Sequence, residues 1–280
     1  MSNIKTILDQ LGMHPKKSFG QNFLHHPESA KKILRWANVQ HQPSILEIGP
    51  GLGALTEVLQ HHCDALICIE KDKKLKEYLQ SQFQSVPGFT LVMDDAIHVN
   101  YSALLHGKKT FVFSNLPYRV STLILERLLS NLDLISGMVF LLQEELVERI
   151  CAKPKTKNFG RLSIWIQSLC ETSIGPRISK GSFYPQPEVE SRLIKMIPME
   201  TPQIEPHMQK DFFSWIAKIF QQRRKTLSHQ LKKMGHDATA CEQALRKISS
   251  QPSVRAEELD IPQLFMLYQE LHHHARNPLA

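Results

Sequence analysis

Cysteine is scarce in this 280-residue chain, and the five present (Cys63, Cys68, Cys151, Cys170 and Cys241) form an odd set without a Cys-x-x-Cys pair. That spacing suits neither a disulfide framework nor a zinc site, so reduced, structural cysteines and no metal are expected. Long apolar runs are also missing: none approaches the ~18 residues that a membrane-spanning helix needs. The first twenty residues lack the unbroken apolar core and small-residue cleavage site of a secretory signal. A cytoplasmic protein with no membrane partner is expected. No Gly-Lys-Ser/Thr loop occurs, and the one glycine-rich turn does not have the Gly-x-Gly-x-x-Gly spacing of dinucleotide binders, which disfavours ATP and NAD. No internal repeat is visible.

What remains is the composition of an ordinary folded protein, 42% hydrophobic and 22% charged. Its length exceeds one typical domain and predicts two. The net charge of +7 makes a polyanion a plausible partner, although such a surplus can equally be a solubilising surface. Its distribution is more informative. Lys153, Lys155, Lys157, Arg161, Arg177, Lys180, Arg192 and Lys195 stand against Glu171, Glu188 and Glu190 between residues 151 and 195. That local excess suits a phosphate-facing surface. A second basic cluster, Arg223-Arg224-Lys225, opens the last third of the chain. Either cluster alone reads equally well as a solvated helix face.

Short apolar runs at 44–48, 65–70, 89–96, 110–118 and 137–143 alternate with helical stretches at 54–62, 71–83 and 121–130. Strands alternating with helices predict a parallel, doubly wound α/β sheet. After Pro198 a proline-rich linker leads into purely helical periodicity. The expected organisation is therefore a catalytic domain over 1–199 and a smaller all-helical domain over 200–280. In the latter, Phe212, Trp215, Ile216 and Ile219 share a helix face and read as core. His272-His273-His274 reads as an exposed helix end and not as a metal site.

Between the first strand and its helix lies Gly49-Pro50-Gly51-Leu52-Gly53. Such a turn lets backbone approach a ligand closely, because glycine lacks Cβ and tolerates positive φ. Glu70, 21 residues beyond Gly49 at the end of the second strand, is placed to accept bonds from ribose hydroxyls. Asp95, at the end of the third, can accept from an adenine amino group, as could Asp94 beside it. Each acid alone would pass for a solvated loop residue; three successive strand ends carrying such groups mark the ligand crevice of an open α/β sheet.

Ser114-Asn115-Leu116-Pro117-Tyr118 ends the fourth strand. Adenine N6 is a poor nucleophile, since its lone pair is delocalised into the ring. The Asn115 side-chain oxygen and the Leu116 carbonyl could each accept one N6 hydrogen, pyramidalising the amine and aiming its lone pair at a sulfonium methyl. No general base is then required. Pro117 fixes the turn, and Tyr118 offers a ring on which an extruded base can stack.

These motifs resemble the KsgA-type ribosomal RNA adenine dimethyltransferases over almost the whole chain. The resemblance runs through Phe19-Gly20-Gln21-Asn22-Phe23-Leu24, Glu47 to Thr56, the Asn115–Tyr118 run with Ser121-Thr122, Phe159 to Ser163, Phe183-Tyr184-Pro185-Gln186-Pro187 and Gln222 to Thr226. It implies a Rossmann-like sheet that binds S-adenosylmethionine through Asn22, Leu24, Gly49, Glu70, Asp95 and Asn115. Phe183 is implied to help Tyr118 hold the target base, and the helical domain to bind RNA. The implied reaction is dimethylation of N6 on two adjacent adenines in the 3′-terminal hairpin of 16S ribosomal RNA, late in 30S subunit assembly; a monomer is the default expectation for an enzyme that docks on a much larger particle. By pattern alone, Asn22 and Leu24 have no evident role and Phe183 reads as core. One residue departs from the family: Arg119 stands where asparagine is usual, which bears on RNA positioning more than on chemistry.

Three rival readings share some of these features. Erythromycin-resistance methylases act on large-subunit RNA but usually carry Phe-Ser-Gln-Asn-Phe and Asn-Ile-Pro-Tyr. DNA adenine methyltransferases favour Asp-Pro-Pro-Tyr and add a base-reading domain. A binding-only assembly factor would not need Glu70, Asp95, Asn115 and Tyr118 together.

Overall fold

The computed structural model describes residues 4–15, 20–117, 119–248 and 250–276, the last four by backbone only. Helix α1 (Ile4–Gln10) and the short strand β1 (Phe23–Leu24) precede α2 (Pro27–Ala37). Proline opens α2, where its missing N–H has no intrahelical partner to lose. The helix closes on Asn38 in the left-handed region, whose N–H donates to the Leu34 carbonyl. The alternating run then follows: β2 (Gln42–Ile48), α3 (Thr56–Leu59), β3 (Cys63–Glu70), α4 (Lys76–Phe83), β4 (Phe89–Met93), α5 (Tyr101–Leu105), β5 (Thr110–Asn115), α6 (Ser121–Leu129) and β6 (Ile135–Gln143). The helix expected over 71–83 begins as a 3-10 turn, Lys73–Leu75, capped by the Asp72 carboxylate.

Beyond β6 come α7 (Glu144–Ile150), α8 (Arg161–Gln167), β7 (Cys170–Ile178), β8 (Phe183–Tyr184) and β9 (Ser191–Pro198). Helices α9 (Pro206–Ile219), α10 (Leu227–Lys233), α11 (Ala238–Lys247) and α12 (Ile261–Arg276) complete the chain. Seven strands form one sheet in the order β4-β3-β2-β5-β6-β9-β7. The five expected strands pair in parallel, and β9 runs antiparallel to β6. Ser44 to Ile48 of β2 and Thr110 to Ser114 of β5 are continuously buried, as befits parallel strands covered on both faces. The chain leaves β2 toward β3 and β4 and returns to β5 and β6 on the other side. The carboxyl ends of β2 and β5 therefore flank the point where strand order reverses, the place where such sheets bind ligands.

β7 and β9 escape a pattern reading for physical reasons. β7 contains Gly175-Pro176, residues that argue against a central strand, and the sheet seats it at the edge where proline is tolerated. Gly175 is needed there: a Cβ would lie 2.7 Å from both Leu193 Cβ and the Trp36 ring. A separate two-stranded sheet pairs β1 with β8, Phe23 opposite Tyr184 and Leu24 opposite Phe183.

The chain forms two compact units, Met1–Val147 with Thr172–Pro198, and Glu148–Glu171 with Met199–Ala280. The expected division at 199/200 therefore needs correction for residues 148–171. Ala152, Phe159 and Ile164 pack in the same apolar cluster as Phe212, Trp215, Ile216 and Ile219, so this segment folds with the helical unit. Those four residues are the buried face of α9, as their spacing predicts. Among the described residues no helix is long and apolar enough to cross a membrane.

Candidate active site

The cleft at the carboxyl ends of β2, β3, β4 and β5 lies wholly in the first unit. Its floor is the turn after β2. Gly51 has φ +58°, and a Cβ there would sit 2.9 Å from the Phe23 ring, so backbone and β1 approach as only glycine allows. The Gly51 N–H donates to Glu70 Oε2 at 3.2 Å, and the Asp72 N–H to Oε1 at 2.8 Å. Burial pushes the Glu70 carboxyl up, while these two N–H groups oppose the shift by favouring the anion. The carboxylate keeps acceptor capacity beyond these bonds for a ligand hydroxyl.

Asp95 is held differently. Its Oδ2 accepts from Lys71 Nζ at 2.6 Å and its Oδ1 from the Ile97 N–H at 3.1 Å. Burial alone would raise its pKa, but the lysine, that N–H and His98 together bring it below the usual carboxylate value. Asp94 turns back to accept the Asp95 N–H.

At the other end, the Ser114 hydroxyl donates to the Ile48 carbonyl at 2.5 Å, joining the ends of β5 and β2. Asn115 Nδ2 donates to the Asn22 carbonyl at 3.0 Å across 93 residues of sequence. That bond fixes the amide with Oδ1 as its remaining acceptor. The Leu116 N–H donates to the Leu141 carbonyl at 3.3 Å, and the Leu116 carbonyl receives no backbone donor among the described residues. Among the described residues, Asn115 Oδ1 and the Leu116 carbonyl thus stand as two acceptors on adjacent residues at one strand end, neither of them shown with a donor.

The cleft brings together Asn22, Leu24, Gly49, Glu70, Asp95, Asn115 and Leu116. Tyr118 and Phe19 lie outside the described residues. Phe183 is 3% exposed and packs in an apolar cluster with Leu24, its partner across β1 and β8; it is not among the residues lining the cleft. The core position that its pattern suggests is the position it takes.

Glu47, also on the cleft wall, is a residue that the pattern reading passes over as a binding group. It is 2% exposed, with Oε2 accepting from Thr56 Oγ1 at 2.7 Å and from Cys68 Sγ at 3.7 Å, and burial pushes its pKa up to about 7. Its signal was an acid inside an otherwise apolar strand, Ser44 to Ile48.

The basic stretch divides. Arg177 and Arg192 pair with Glu144 at 2.7 and 3.1 Å, Lys180 donates to the Glu188 carbonyl and Lys195 to the Ala37 carbonyl. These four serve the first unit internally. Lys153, Lys155, Lys157 and Arg161 are exposed on the second unit and have no ion pair among the described residues. Arg223 clamps that segment, donating to the Lys157 and Phe159 carbonyls at 2.8 Å and pairing with Glu257 at 2.6 Å; Arg224 and Lys225 beside it are exposed. Among the described residues no group of His, Cys, Asp and Glu is arranged to hold a metal ion.

Comparison with known proteins places this geometry. A family model described as ribosomal RNA adenine dimethylase matches residues 12–272. Proteins named ribosomal RNA small subunit methyltransferase A are similar throughout: that of Acinetobacter baylyi is 36% identical over 93% of this chain and 93% of its own length. The one from Pseudomonas syringae is 40% identical over 81% and 85%, respectively. Among solved structures, a dimethyladenosine transferase from Plasmodium falciparum superposes with TM-score 0.78 at 23% identity, covering 90% of this chain and 98% of that one. The 23S rRNA methyltransferase ErmE superposes with TM-score 0.71 at 20% identity, covering 90% and 100%. Both structures share the fold, and so the fold alone does not separate the two kinds of ribosomal RNA target.

Proposed function

The chain belongs to the ribosomal RNA adenine dimethylase family, and from that premise we propose that it uses S-adenosylmethionine to dimethylate N6 of two adjacent adenines in the 3′-terminal hairpin of 16S ribosomal RNA. The observation that carries the reading is the pair of adjacent acceptors, Asn115 Oδ1 and the Leu116 carbonyl, without a donor among the described residues and in the same cleft as Glu70 and Asp95. The residues suit the cofactor: a glycine floor that a Cβ would crowd, a buried carboxylate for ribose hydroxyls, and an ionised Asp95 for an adenine amino group. When bound, S-adenosylmethionine supplies a methyl carbon made electrophilic by its sulfonium. Glu70 and Asp95 would orient the nucleoside portion, Asn22 and Leu24 would contact it from the cleft wall at β1 and the residue before it, and Gly49 would allow backbone contact.

Asn115 and Leu116 accept hydrogen bonds from the two N6 hydrogens and return electron density to nitrogen; forming the nitrogen–methyl bond would break the sulfur–methyl bond to leave a neutral thioether, and the alkylated nitrogen would then release one proton to solvent. Tyr118 stacks on the extruded base, and Phe183 supports that end through the β1–β8 pairing. A monomethylated amine keeps one hydrogen and engages one acceptor, so the second transfer relies on the first methyl being seated where a hydrogen was. Exposed Lys153, Lys155, Lys157, Arg161, Arg224 and Lys225 give the second unit its affinity for RNA phosphates. The enzyme acts as a cytoplasmic monomer on the 30S subunit late in its assembly.

Relatives of 36% and 40% identity named for the small subunit favour that target. The test is transfer of labelled methyl from S-adenosylmethionine to undermethylated small subunits and to large subunits, with the modified base mapped. N6,N6-dimethyladenine in the small-subunit 3′ hairpin is expected. Label confined to large-subunit RNA would move the chain to the erythromycin-resistance type of activity, and no label in either would leave a binding-only assembly factor.

A further inference from the structure

Two cationic side chains line the cleft, and their situations differ. Lys71 is held by Asp95 at 2.6 Å, at the cofactor end. Arg119 lies at the opposite end, two residues beyond Pro117, exposed to solvent and without an ion pair among the described residues. The acids of the cleft, Glu47, Glu70, Asp94 and Asp95, belong to β2, to the end of β3 and to the turn after β4, and the first turn of α6 that follows Arg119 carries no acid. A free guanidinium therefore flanks the acceptors that would receive the target base.

We propose that Arg119 binds a backbone phosphate of the RNA strand beside the extruded adenine and so fixes which nucleotide enters the cleft. The inference rests on the function proposed above and deepens it. A base turned into a pocket leaves its ribose-phosphate at the rim, where the strand carries one negative charge per nucleotide. Guanidinium presents a planar fork of donors that matches phosphate oxygens in two bonds, and being always charged it holds them at any physiological pH. Asparagine at this position would offer neither the charge nor the reach. Arg119 is thus a positioning residue: it touches neither N6 nor the methyl donor, and it acts by limiting how the strand lies across the opening.

The test compares wild-type protein with Arg119→Gln and Arg119→Lys for binding of undermethylated small subunits between about 50 and about 200 mM salt. An exposed position tolerates both substitutions without loss of fold. Arg119→Gln is expected to weaken binding about tenfold and to reduce the slope of log affinity against log salt by about 0.7, the signature of one lost single-strand phosphate contact. Arg119→Lys recovers the slope but not the full affinity, since ammonium restores the charge without the fork. Affinity for S-adenosylmethionine stays at the wild-type value in both. Unchanged affinity and slope in Arg119→Gln would overturn the assignment. So would a loss of S-adenosylmethionine binding with the slope intact, which would give the guanidinium to the carboxylate of the methyl donor. Methyl transfer by the wild-type protein in the same samples separates this result from failure of the underlying reading, which absence of any labelled adenine would sink.

Discussion

The two ends of the cleft are built on different principles. The cofactor end is local: Gly51, Glu70, Asp72, Lys71 and Asp95 come from three consecutive strand ends, and backbone N–H groups hold Glu70 in place. The target end is assembled from afar. Asn115 is oriented by the Asn22 carbonyl, and the segment carrying Asn22 is held down by pairing of β1 with β8, more than 150 residues away in sequence. In the proposed reading, binding rests on a turn of the sheet, whereas chemistry rests on an amide that, among the described residues, is held by one hydrogen bond to the residue preceding an added strand. Damage to one end should therefore appear in cofactor affinity and damage to the other in rate.

The sharpest break of that comparison is Asn115→Ala. Removing one of the two acceptors is expected to lower kcat about 10²- to 10³-fold, the scale seen when one preorganised polar group is lost from an active site. Single-turnover methylation at saturating S-adenosylmethionine reads it; a defect confined to cofactor affinity would contradict the division.

Next in size is Glu47→Gln, read by urea unfolding across pH. In the folded chain Glu47 stays protonated up to about pH 7, against an ordinary value of 4.5. A raised folded pKa gives a stability term complete below 4.5 that is lost as pH rises through 7. The whole term is about 3 kcal/mol. The glutamine variant should lack that part of the slope; an unchanged profile would show that the carboxyl is already ionised.

Glu70→Ala should raise the Kd for S-adenosylmethionine about 10- to 100-fold, measured by calorimetry, as expected for loss of charge-assisted bonds to a ribose. Its effect on the saturated rate should be far smaller than that of Asn115→Ala. The mildest of the four is Gly51→Ala. A left-handed φ of +58° and a Cβ 2.9 Å from the Phe23 ring should destabilise the fold by about 1–2 kcal/mol, visible as a lower Tm, and loosen cofactor binding with it.

The same contrast explains what was legible in the sequence. The five parallel strands and the acids at their ends show as short apolar runs closed by polar residues, so the cofactor end could be drawn from pattern alone. Asn22, Leu24 and Phe183 could not, because β1 and β8 are two residues long and nothing local signals their pairing. Resemblance to a known family supplied them. That residues 148–171 fold with the helical unit has no local signal either, because Phe159 and Ile164 sit far from α9 in sequence and their packing in one cluster with Phe212 is a tertiary fact. The basic stretch misled in the opposite sense: spacing reveals charge but not that Arg177 and Arg192 would converge on Glu144.

Glu47 also supplies the rival to the central claim, since a carboxyl with a pKa of about 7 in the cleft wall is poised to act as a general base. The direct test is the single-turnover methylation rate of wild-type protein and Glu47→Gln at saturating S-adenosylmethionine, from about pH 6 to about pH 9. Activation of N6 by two acceptors that do not titrate predicts a flat profile and a variant close to wild type. A rate that climbs through pH 7 in the wild-type protein and collapses in Glu47→Gln would show that a base takes the proton, and that Asn115 and Leu116 do not suffice.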